Sequence, residues 1–389
     1  MKKLILVAGA RPNFMKIAPL MHELKGNLNI KPVLVHTGQH YDVKMSGQFF
    51  EELNIPAPDI NLEVGSASHA VQTARIMEGF EKVCLDEKPD FVLVVGDVNS
   101  TAACTMVAAK FDGITTIHYE AGLRSRDRSM PEEINRLVTD AITDIFLTTS
   151  ADADENLLQE GVVKDKIFMV GNLMIDSLVA NLEKAEETSL NFKLLNRDKN
   201  IKIKNPRTNG QRKLKSVLST SSAFQKYGVM TFHRPSNVDD EISLKKLVKI
   251  WGDISEKIPL IFPVHPRTYK NIQKFGLQNE IDCCENLYFI EPLGYLQFIN
   301  LVKNATFALT DSGGIQEETT YLNIPCLTVR PNTERPVTIW EGSNKLIKIN
   351  EIETEIDLIL QGKGKRGNIP KYWDGKTAER IVKIIEHFH

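Results

Sequence analysis

Residues 4–20 read LILVAGARPNFMKIAPL, and the type of fold can be inferred from this stretch. Residues 4–10 form an apolar run without the polar alternation of a half-exposed strand, which predicts a strand buried on both faces. A helical pattern follows over residues 12–26, where apolar side chains such as Phe14 and Ile17 recur on one face. A buried strand that leads directly into an amphipathic helix is the building unit of a parallel α/β sheet.

The same alternation continues along the chain. Further apolar runs in the N-terminal half cover residues 32–38, 91–97, 115–122, 145–150 and 167–172. A second series covers residues 228–233, 260–265, 287–292, 307–311, 326–330 and 345–349. Strands that alternate with helices predict parallel sheets with right-handed crossovers, so two series predict two Rossmann-like domains of the α/β class.

The length of the chain agrees with two domains, because 389 residues exceed what one hydrophobic core usually organises. We predict an N-terminal domain over residues 1–177, joined by a C-terminal helix at 374–389, and a C-terminal domain over 178–373. The segment at about 191–226 is rich in Lys, Arg, Asn and Ser, which predicts a basic surface insertion. A nucleic-acid-binding arm is the alternative for this segment, although most such charge runs are solvated surfaces.

Composition argues against several classes of protein. A formal net charge of -2 provides no extended field that would hold nucleic acid or an anionic membrane, so any anionic ligand must be held locally. No apolar stretch approaches the roughly 20 residues of a membrane-spanning helix. The five cysteines form no C-x-x-C pair and fit reduced thiols, so we expect a cytoplasmic protein.

The nucleotide fingerprints of dehydrogenases and kinases are missing. Residues 9–16, GARPNFMK, contain one glycine where G-x-G-x-x-G needs three, and no G-x-x-x-x-G-K-[ST] occurs. The histidines are scattered without H-E-x-x-H spacing, which disfavours a metal site. We therefore expect no cofactor and no metal.

Polar side chains follow the ends of many predicted strands. Ligands of parallel sheets bind beyond the carboxyl ends of the strands, where the connecting loops converge. These positions carry Arg11, Lys16, Gln39, His40, Asp97 and Glu120 in the first series, and His233, Arg234 and His265 in the second. The sequence therefore places its binding candidates along these edges.

Residues 310–318, TDSGGIQEE, give the clearest binding signal: a strand end, two glycines and a helical segment. Backbone N–H groups at a helix N-terminus lack intrahelical partners and carry the positive end of the helix dipole, so they suit a phosphate. We predict that Ser312, Gly313 and Gly314 donate to a diphosphate and that Glu318 accepts from ribose hydroxyls. The alternative is a glycine-rich turn that only reverses the chain.

Three carboxylates, Asp97, Glu120 and Glu132, are expected at loop ends of the N-terminal domain. Glu132 follows Pro131 at the start of a predicted helix, where a capping role alone would explain it. The basic residues expected near them are Arg11, Lys16, Arg124 and Arg136. Capping does not explain the convergence of three acids with these cations, so the pattern favours a catalytic site.

At these residues the chain resembles the non-hydrolysing UDP-N-acetylglucosamine 2-epimerases. The resemblance is carried by the runs GARPNFMKIAPL, TGQHYD, VVGDVNST, HYEAGLRS, MPEEINR, FHRPSN, PVHPR, TDSGGIQEE and TERP, in the family's order and spacing. It implies the glycosyltransferase-B fold, with two Rossmann-like domains facing a central cleft. It also implies a homodimer without cofactor that interconverts UDP-N-acetylglucosamine and UDP-N-acetylmannosamine through elimination and re-addition of UDP.

The resemblance also implies two groups of site residues. The nucleotide would be held by Arg11, Ser312, Gly313, Gly314 and Arg335 at the diphosphate, Glu318 at the ribose, and Leu293 with Phe298 at the uracil. The sugar would be surrounded by Lys16, Asp97, Glu120, Glu132, Arg136 and His233, of which Asp97, Glu120, Glu132 and His233 are the catalytic candidates. His265 is a further substrate-binding candidate. Phe298 also fits a core position, and His233 also fits a hydrogen-bonded histidine at a strand end.

Other activities stay open on this evidence. A glycosyltransferase of the same fold would use the same nucleotide half and add an acceptor pocket. A related 2-epimerase would act on a UDP-sugar with extra acetamido or uronate groups. A sensor that retained the fold would bind a UDP-sugar without turnover. The acid cluster argues against a transferase, and the filled catalytic positions argue against a sensor.

Overall fold

The structure, a computed structural model, describes residues 1–38, 55–197, 200–203 and 226–388, without the side chain of Arg11. The site candidates Gln39 and His40 lie outside the described residues, as does most of the predicted basic insertion. The chain divides into two compact units, Met1–Ala180 with Pro370–His389 and Asn181–Ile369. They are called the first and the second unit below.

The first unit is built on a seven-stranded parallel sheet. Its strands are β1 (Lys2–Ala8), β2 (Ile30–His36), β3 (Ile60–Asn61), β4 (Phe91–Val95), β5 (Thr115–Tyr119), β6 (Ile145–Thr148) and β7 (Ile167–Met169). They lie in the order β3-β2-β1-β4-β5-β6-β7, and each neighbouring pair is parallel. β4 and β6 are buried along their whole length, as expected for strands covered on both faces.

Helices connect these strands. They are α1 (Arg11–Glu23), α2 (His69–Glu87), α3 (Asn99–Ala108), α4 (Pro131–Ala141), α5 (Ala151–Gln159) and α6 (Leu173–Glu187), with a 3-10 turn at Lys164–Lys166. The apolar stripe of α2, including Ile76 and Phe80, packs with Val92 and Val94 of β4 in one core. This packing leaves the loops at the carboxyl ends of the strands to carry polar residues.

The second unit repeats the design with six parallel strands. They are β10 (Gly228–Thr231), β11 (Leu260–Pro263), β12 (Leu287–Ile290), β13 (Phe307–Thr310), β14 (Cys326–Val329) and β15 (Asn344–Ile347), in the order β12-β11-β10-β13-β14-β15. The helices are α7 (Pro235–Val238), α8 (Glu241–Ser255), α9 (Pro266–Lys274), α10 (Gln278–Asp282), α11 (Tyr295–Lys303), α12 (Gly313–Leu322), α13 (Val337–Trp340) and α14 (Ile352–Leu360), with a 3-10 turn at Ile349–Glu351. One large core joins α8 to the sheet, with Trp251 packed against Phe232 and Phe262.

The described residues at the start of the predicted basic insertion form a strand pair with buried residues rather than a surface loop. β8 (Asn191–Lys193) and β9 (Asn200–Lys202) form an antiparallel pair. Phe192 and Ile201 are buried in a core cluster that also contains Tyr227. This part of the core was not predicted because single apolar residues alternate with Lys and Asn, and such short strands resemble a solvated loop.

The C-terminal helix α15 (Thr377–His387) belongs to the first unit. Its buried face includes Ile381 and Ile385, and the helix packs against α1. The two parallel sheets with connecting helices confirm the predicted α/β class with two Rossmann-like units. None of the helices in the described part of the chain combines the length and the apolarity that crossing a bilayer demands.

Candidate functional site

A buried ion pair lies at the carboxyl edge of the first sheet. Lys16, on α1, places its Nζ 2.5 Å from Oε2 of Glu120, which directly follows β5. Both side chains are buried. The backbone of Glu120 has a φ of 73°, a left-handed conformation that is uncommon outside glycine and is often retained at functional sites. The fold thus holds a strained residue whose carboxylate is paired with a cation.

Gly96 lies directly beside the pair of Lys16 and Glu120. It follows β4 with a φ of 70°, and a Cβ at this position would lie 3.4 Å from both Glu120 Oε2 and Lys16 Nζ. The same Cβ would lie 3.3 Å from Nδ2 of Asn13. The positive φ favours a glycine here, and a side chain at this position would have to fit closely beside Asn13, Lys16 and Glu120.

Asp97 is held from two sides. Arg136, on α4, is buried and donates from Nη1 to Oδ2 of Asp97, and its Nη2 lies 2.8 Å from Oε2 of Glu133. Nδ2 of Asn135 donates to the backbone oxygen of Asp97 over 2.9 Å. The Asp97 side chain retains 29% exposure, so this carboxylate is both fixed and accessible.

Glu133, rather than Glu132, enters the buried network. It accepts hydrogen bonds from the backbone N and Oγ of Ser125, both at 2.9 Å, and from the backbone N of Arg126 at 2.8 Å. Burial acts to raise the pKa of Glu133, but the bonds from Ser125 and the charge of Arg136 outweigh it, and the pKa lies below its usual value. Glu132 is exposed in the first turn of α4.

Asp311 organises the corresponding edge of the second sheet. It follows β13, is fully buried, and accepts from the backbone N of Arg234 at 2.9 Å and from Nδ2 of Asn237 at 3.1 Å. Its Oδ1 lies 3.1 Å from Nδ1 of His233. Burial acts to raise the pKa of Asp311, but hydrogen bonding to His233 and the charge of that ring outweigh burial and lower it. The carboxylate therefore orients the loop that carries His233.

The two predicted histidines of the second unit are neighbours. The ring centroids of His233 and His265 lie 5.6 Å apart, and the side chain of His233 is 40% exposed. Nδ1 of His265 accepts from the backbone N of Arg267 at 3.1 Å and so caps α9. Burial, followed by the charge of His233, lowers the pKa of His265. His265 thus caps a helix while its side chain remains exposed, and His233 lies partly exposed beside it.

The start of α12 provides partly exposed backbone donors. Ser312 is the N-cap residue but makes no side-chain capping bond, and Ser312, Gly313 and Gly314 are all partly exposed. A Cβ on Gly314 would meet nothing within 4 Å, whereas a Cβ on Gly313 would lie 2.9 Å from Oε1 of Glu334. The backbone N of Ser312 already donates to Oγ1 of Thr310 at 2.9 Å. The amides of Gly313 and Gly314 lie at the positive end of the helix dipole, which suits an anionic ligand.

Arg335 is fixed beside these amides by two carboxylates. Its Nε lies 2.8 Å from Oε1 of Glu317, and its Nη1 lies 2.9 Å from Oε1 of Glu334. Arg330 in turn places Nη2 2.8 Å from Oε2 of Glu334. Burial acts to raise the pKa of Glu334, but the charges of Arg335 and Arg330 outweigh it and hold the pKa well below its usual value. The TERP run was recognised in the sequence, but the pairing of Glu334 with Arg335 was not predicted.

Glu318 lies deeper on the same helix. Burial, reinforced by the charge of Glu317, raises its pKa to about 8, although a hydrogen bond with Tyr295 acts in the opposite direction. The side chain therefore carries a proton at neutral pH. Leu293 and Phe298 are partly buried and pack against the core cluster that contains Phe192 and Tyr227, a position that fits both core packing and a contact with uracil.

The predicted site residues thus fall into two groups. Lys16, Asp97, Glu120 and Arg136 come together in the first unit, and Ser312, Gly313, Gly314 and Arg335 come together in the second. Glu132 lies near the first group without entering its buried network, and the side chain of Arg11 is not described. Within the described ranges, no three His, Cys, Asp or Glu side chains converge to hold a metal ion.

Comparisons with known proteins match one family over nearly the whole chain. The model of a family described as UDP-N-acetylglucosamine 2-epimerase matches residues 22–386. The UDP-N-acetylglucosamine 2-epimerase of Methanococcus maripaludis is 41% identical, with 99% of this chain and 98% of that protein covered. The UDP-2,3-diacetamido-2,3-dideoxy-D-glucuronate 2-epimerase of Pseudomonas aeruginosa is 33% identical, with 98% and 99% covered.

A solved structure extends the similarity to the whole fold. The Methanocaldococcus jannaschii UDP-GlcNAc 2-epimerase, crystallised with UDP-GlcNAc and UDP, matches with a TM-score of 0.82 at 39% identity, with 100% of both chains covered. The likeness confirms the expected glycosyltransferase-B class of fold.

Proposed function

The chain belongs to the UDP-N-acetylglucosamine 2-epimerase family, and we propose that it interconverts UDP-N-acetylglucosamine and UDP-N-acetylmannosamine by inverting carbon 2. The proposal rests on one observation: each unit supplies one half of the chemistry that this inversion needs. The first unit pairs buried or half-buried acids with cations around Glu120 and Asp97. The second unit presents the amides of α12 beside Arg335.

The difficulty of the reaction is the proton on carbon 2, which is too weakly acidic for a carboxylate to remove directly at neutral pH. Departure of UDP from carbon 1 changes this, because the positive charge that develops on the ring acidifies the neighbouring proton. In this departure the C1–O bond breaks and its electron pair goes to UDP. Loss of the proton from carbon 2 then forms a C1=C2 double bond. Addition of a proton to the opposite face and return of UDP complete the inversion.

The second unit would stabilise the departing diphosphate. We assign this role to the amides of Ser312, Gly313 and Gly314 with Arg335, and to Arg11 from the first unit. A preorganised donor of this kind is worth about 3 kcal/mol. The buried ion pairs of Arg335 support the assignment, because they hold its guanidinium in place before a ligand binds.

The other contacts of the nucleotide follow the resemblance. Glu318 would bind the ribose, Leu293 and Phe298 would bind the uracil, and His265 would lie near the substrate. Glu318 would accept from a ribose hydroxyl, as expected from the sequence, and its raised pKa supports a neutral carboxyl that also donates one hydrogen bond. His233 would bind phosphate or assist proton transfer.

The first unit would handle the proton. Two faces of carbon 2 require two groups, for which Asp97, Glu120 and Glu132 are the candidates, with Lys16 and Arg136 around the sugar. Asp97 and Glu120 are supported by their fixed positions, whereas Glu132 is supported only by its place beside them. Substitution of each carboxylate in turn assigns the division of roles between them.

Three finer points belong to the same proposal. The UDP-sugar is the partner, and the enzyme works as a homodimer whose contact uses apolar helices of the first unit. Val71 and Leu85 of α2 are exposed apolar residues that support such a face. We place the enzyme in the cytoplasm, because the cysteines of the described residues are free and suit a reducing compartment.

The second candidate is a 2-epimerase for a UDP-amino sugar with further substituents. The P. aeruginosa relative, named for UDP-2,3-diacetamido-2,3-dideoxy-D-glucuronate, supports this alternative. Parallel assays of both UDP-sugars separate the candidates, because the true substrate has the higher kcat/KM. A glycosyltransferase would leave UDP-N-acetylglucosamine unchanged without an acceptor.

The decisive assay follows UDP-N-acetylglucosamine alone, in heavy water, by NMR. We expect the manno isomer to accumulate and deuterium to enter carbon 2 of both substrate and product. Release of free sugar would indicate a hydrolysing enzyme instead. Retention of the original hydrogen during epimerisation would contradict elimination with exchange and would point to internal transfer.

A further inference from the structure

A fully buried histidine lies behind the acids of the first unit. His118, on β5, has Nδ1 2.6 Å from Oδ1 of Asp140 and Nε2 2.9 Å from the backbone oxygen of Gly96. A carbonyl oxygen only accepts hydrogen bonds, and so does an ionised carboxylate. Both ring nitrogens therefore face acceptors.

Asp140 does not supply a proton to this ring. Its Oδ2 lies 2.7 Å from Nη1 of Arg124 and accepts from the backbone N of Gly122 at 3.0 Å. The Arg124 guanidinium and the Gly122 backbone N–H both stabilise the charged form of this carboxylate. With Asp140 ionised, a ring that satisfies both neighbours must donate from both nitrogens.

The surrounding charges compensate such a cation. Arg124 donates from Nε to Oε1 of Glu160 at 2.9 Å and from Nη2 to Oε2 at 2.5 Å. The group therefore contains two cationic side chains, His118 and Arg124, and two carboxylates, Asp140 and Glu160. A buried cation persists where it is paired and hydrogen-bonded in this way.

The ring holds the peptide on which the proposed catalytic acids depend. The backbone N of Gly96 donates to the oxygen of Tyr119 at 3.1 Å, while its carbonyl receives the bond from His118. Gly96 precedes Asp97 directly, and its Cβ position lies 3.4 Å from Glu120 Oε2. A shift of this peptide would displace both carboxylates together.

We propose that His118 is a positioning residue of the epimerase, which acts as a buried imidazolium that fixes the Gly96–Asp97 peptide and through it Asp97 and Glu120. The inference rests on the proposed function of those two acids. His118 has no exposed surface and contacts no substrate, so its loss reduces kcat and leaves the affinity for UDP unchanged.

Two substitutions separate the contacts of the ring. His118→Asn retains a donor near the position of Nδ1 and loses the bond to Gly96, whereas His118→Gln retains a donor near the position of Nε2. We expect kcat to fall by about 100-fold in His118→Asn, the size of effect that a misplacement of about 1 Å produces. We expect His118→Gln to recover part of this loss. Equal activity in both variants, or a wild-type kcat in His118→Asn, would overturn the proposal.

Asp140→Asn tests the ion pair against a matched control. Asp144 accepts from the backbone N and Oγ1 of Thr116, at 2.9 and 2.8 Å, at the opposite end of the same strand. We expect kcat to fall in Asp140→Asn and to remain unchanged in Asp144→Asn, with the same UDP dissociation constant in both. An equal fall in both variants would indicate a general effect of destabilisation and would contradict positioning.

The protonation state is measured on the wild-type protein. Nitrogen-15 NMR of histidine-labelled protein should show one imidazole, absent from His118→Asn, with protons on both nitrogens. If that variant does not fold, His118→Gln serves for the assignment. A single protonated nitrogen would overturn the inference whatever the enzymatic result. Inactive wild-type enzyme with a doubly protonated His118 would instead contradict the proposed function.

Discussion

Several charged side chains of the first unit form ion pairs with side chains of opposite charge. Lys16 is paired with Glu120, and Arg136 spans Asp97 and Glu133. Burying a charge without a partner costs free energy, so each member of a pair stabilises the other in its buried position. Because both carboxylates belong to the first unit, substitution of Asp97 or Glu120 tests the proposed chemistry separately from nucleotide binding.

We expect Asp97→Asn and Glu120→Gln to reduce epimerisation by about 10²- to 10⁴-fold, the range for loss of general acid–base catalysis. UDP affinity, measured by calorimetry, should remain close to that of the wild type, because the proposed nucleotide contacts are in the second unit. Glu132→Gln tests the third candidate in the same way.

Glu87→Gln is the control, because Glu87 forms only a surface pair with Lys3 at 2.9 Å. Its activity should match that of the wild type. Loss of UDP binding in all three site variants would contradict the division of roles between the two units.

The raised pKa of Glu318 makes stability depend on pH. Below about pH 4.5 the carboxyl is protonated in both states, and between that value and about 8 only the folded state keeps the proton. The unfolded state then binds fewer protons, so the free energy of unfolding falls as pH rises, by at most about 1.4 kcal/mol per pH unit. Above pH 8 this contribution is constant.

Glu318→Gln removes this contribution. Denaturation without nucleotide, from pH 5 to pH 8.5, should show the variant gaining stability relative to the wild type as pH rises. Glu280→Gln, an exposed change on α10, should show no such trend. A difference between Glu318→Gln and wild type that is independent of pH would contradict a neutral buried carboxyl.

Helix α12 illustrates how two adjacent glycines serve different purposes. Gly313 makes room for Glu334, which in turn holds Arg335, whereas Gly314 borders open space. The first glycine is therefore required by the protein itself. A Cβ on the second would meet none of the other described residues within 4 Å, which fits a ligand that approaches the amides closely.

Alanine substitutions should separate these two roles. Gly314→Ala should leave the melting temperature of the free protein unchanged and weaken UDP binding on the order of tenfold, about 1.4 kcal/mol. Gly313→Ala should lower both stability and affinity, since its methyl group would displace Glu334 at a cost of about 1–3 kcal/mol. Thermal melts and calorimetry with UDP measure both effects. Unchanged UDP affinity in Gly314→Ala would contradict a diphosphate at this helix.

The chain as a whole passes from the first unit to the second near residue 180 and returns near residue 370. The returning segment is anchored within the first unit. Nε1 of Trp373 donates to the oxygen of Thr149 at 3.1 Å, and Asp176 accepts from the backbone N of Ala378 at 2.8 Å. The domain boundaries expected after residues 177 and 373 remain predictions, but this anchoring makes the stability of the first unit testable.

Trp373→Ala should reduce the free energy of unfolding by about 3–5 kcal/mol, because it leaves a cavity and removes the hydrogen bond to Thr149. Hydrogen exchange should rise in the first unit, and UDP affinity should be retained. Trp340→Ala is the matched control, since Trp340 is 71% exposed, and its change should remain within about 0.5 kcal/mol. Equal effects of the two substitutions would contradict the anchoring role.

Local sequence was enough to predict the strands of the two parallel sheets except β3, the helices between them and the glycine-rich start of α12, whereas β8 and β9 were missed. These features depend on periodicity and on residues a few positions apart, which a linear pattern contains. The strand-end positions already made Lys16, Asp97 and Glu120 site candidates, and the resemblance to a family added Arg335. No pattern within a few residues would have paired Lys16 with Glu120, which lies 104 positions away.

Only tertiary packing places Glu133, rather than Glu132, in the buried network with Arg136. It also brings His118 to Asp140 and buries Phe192 in the core of the second unit. Neighbouring residues on a helix point about 100° apart, so one glutamate turns inward and the other outward according to where Arg136 lies. The charge and hydrogen bonds of a buried group depend on contacts between distant segments. These contacts form only when the sheets assemble, which is why the partners of each site residue emerged from the folded chain.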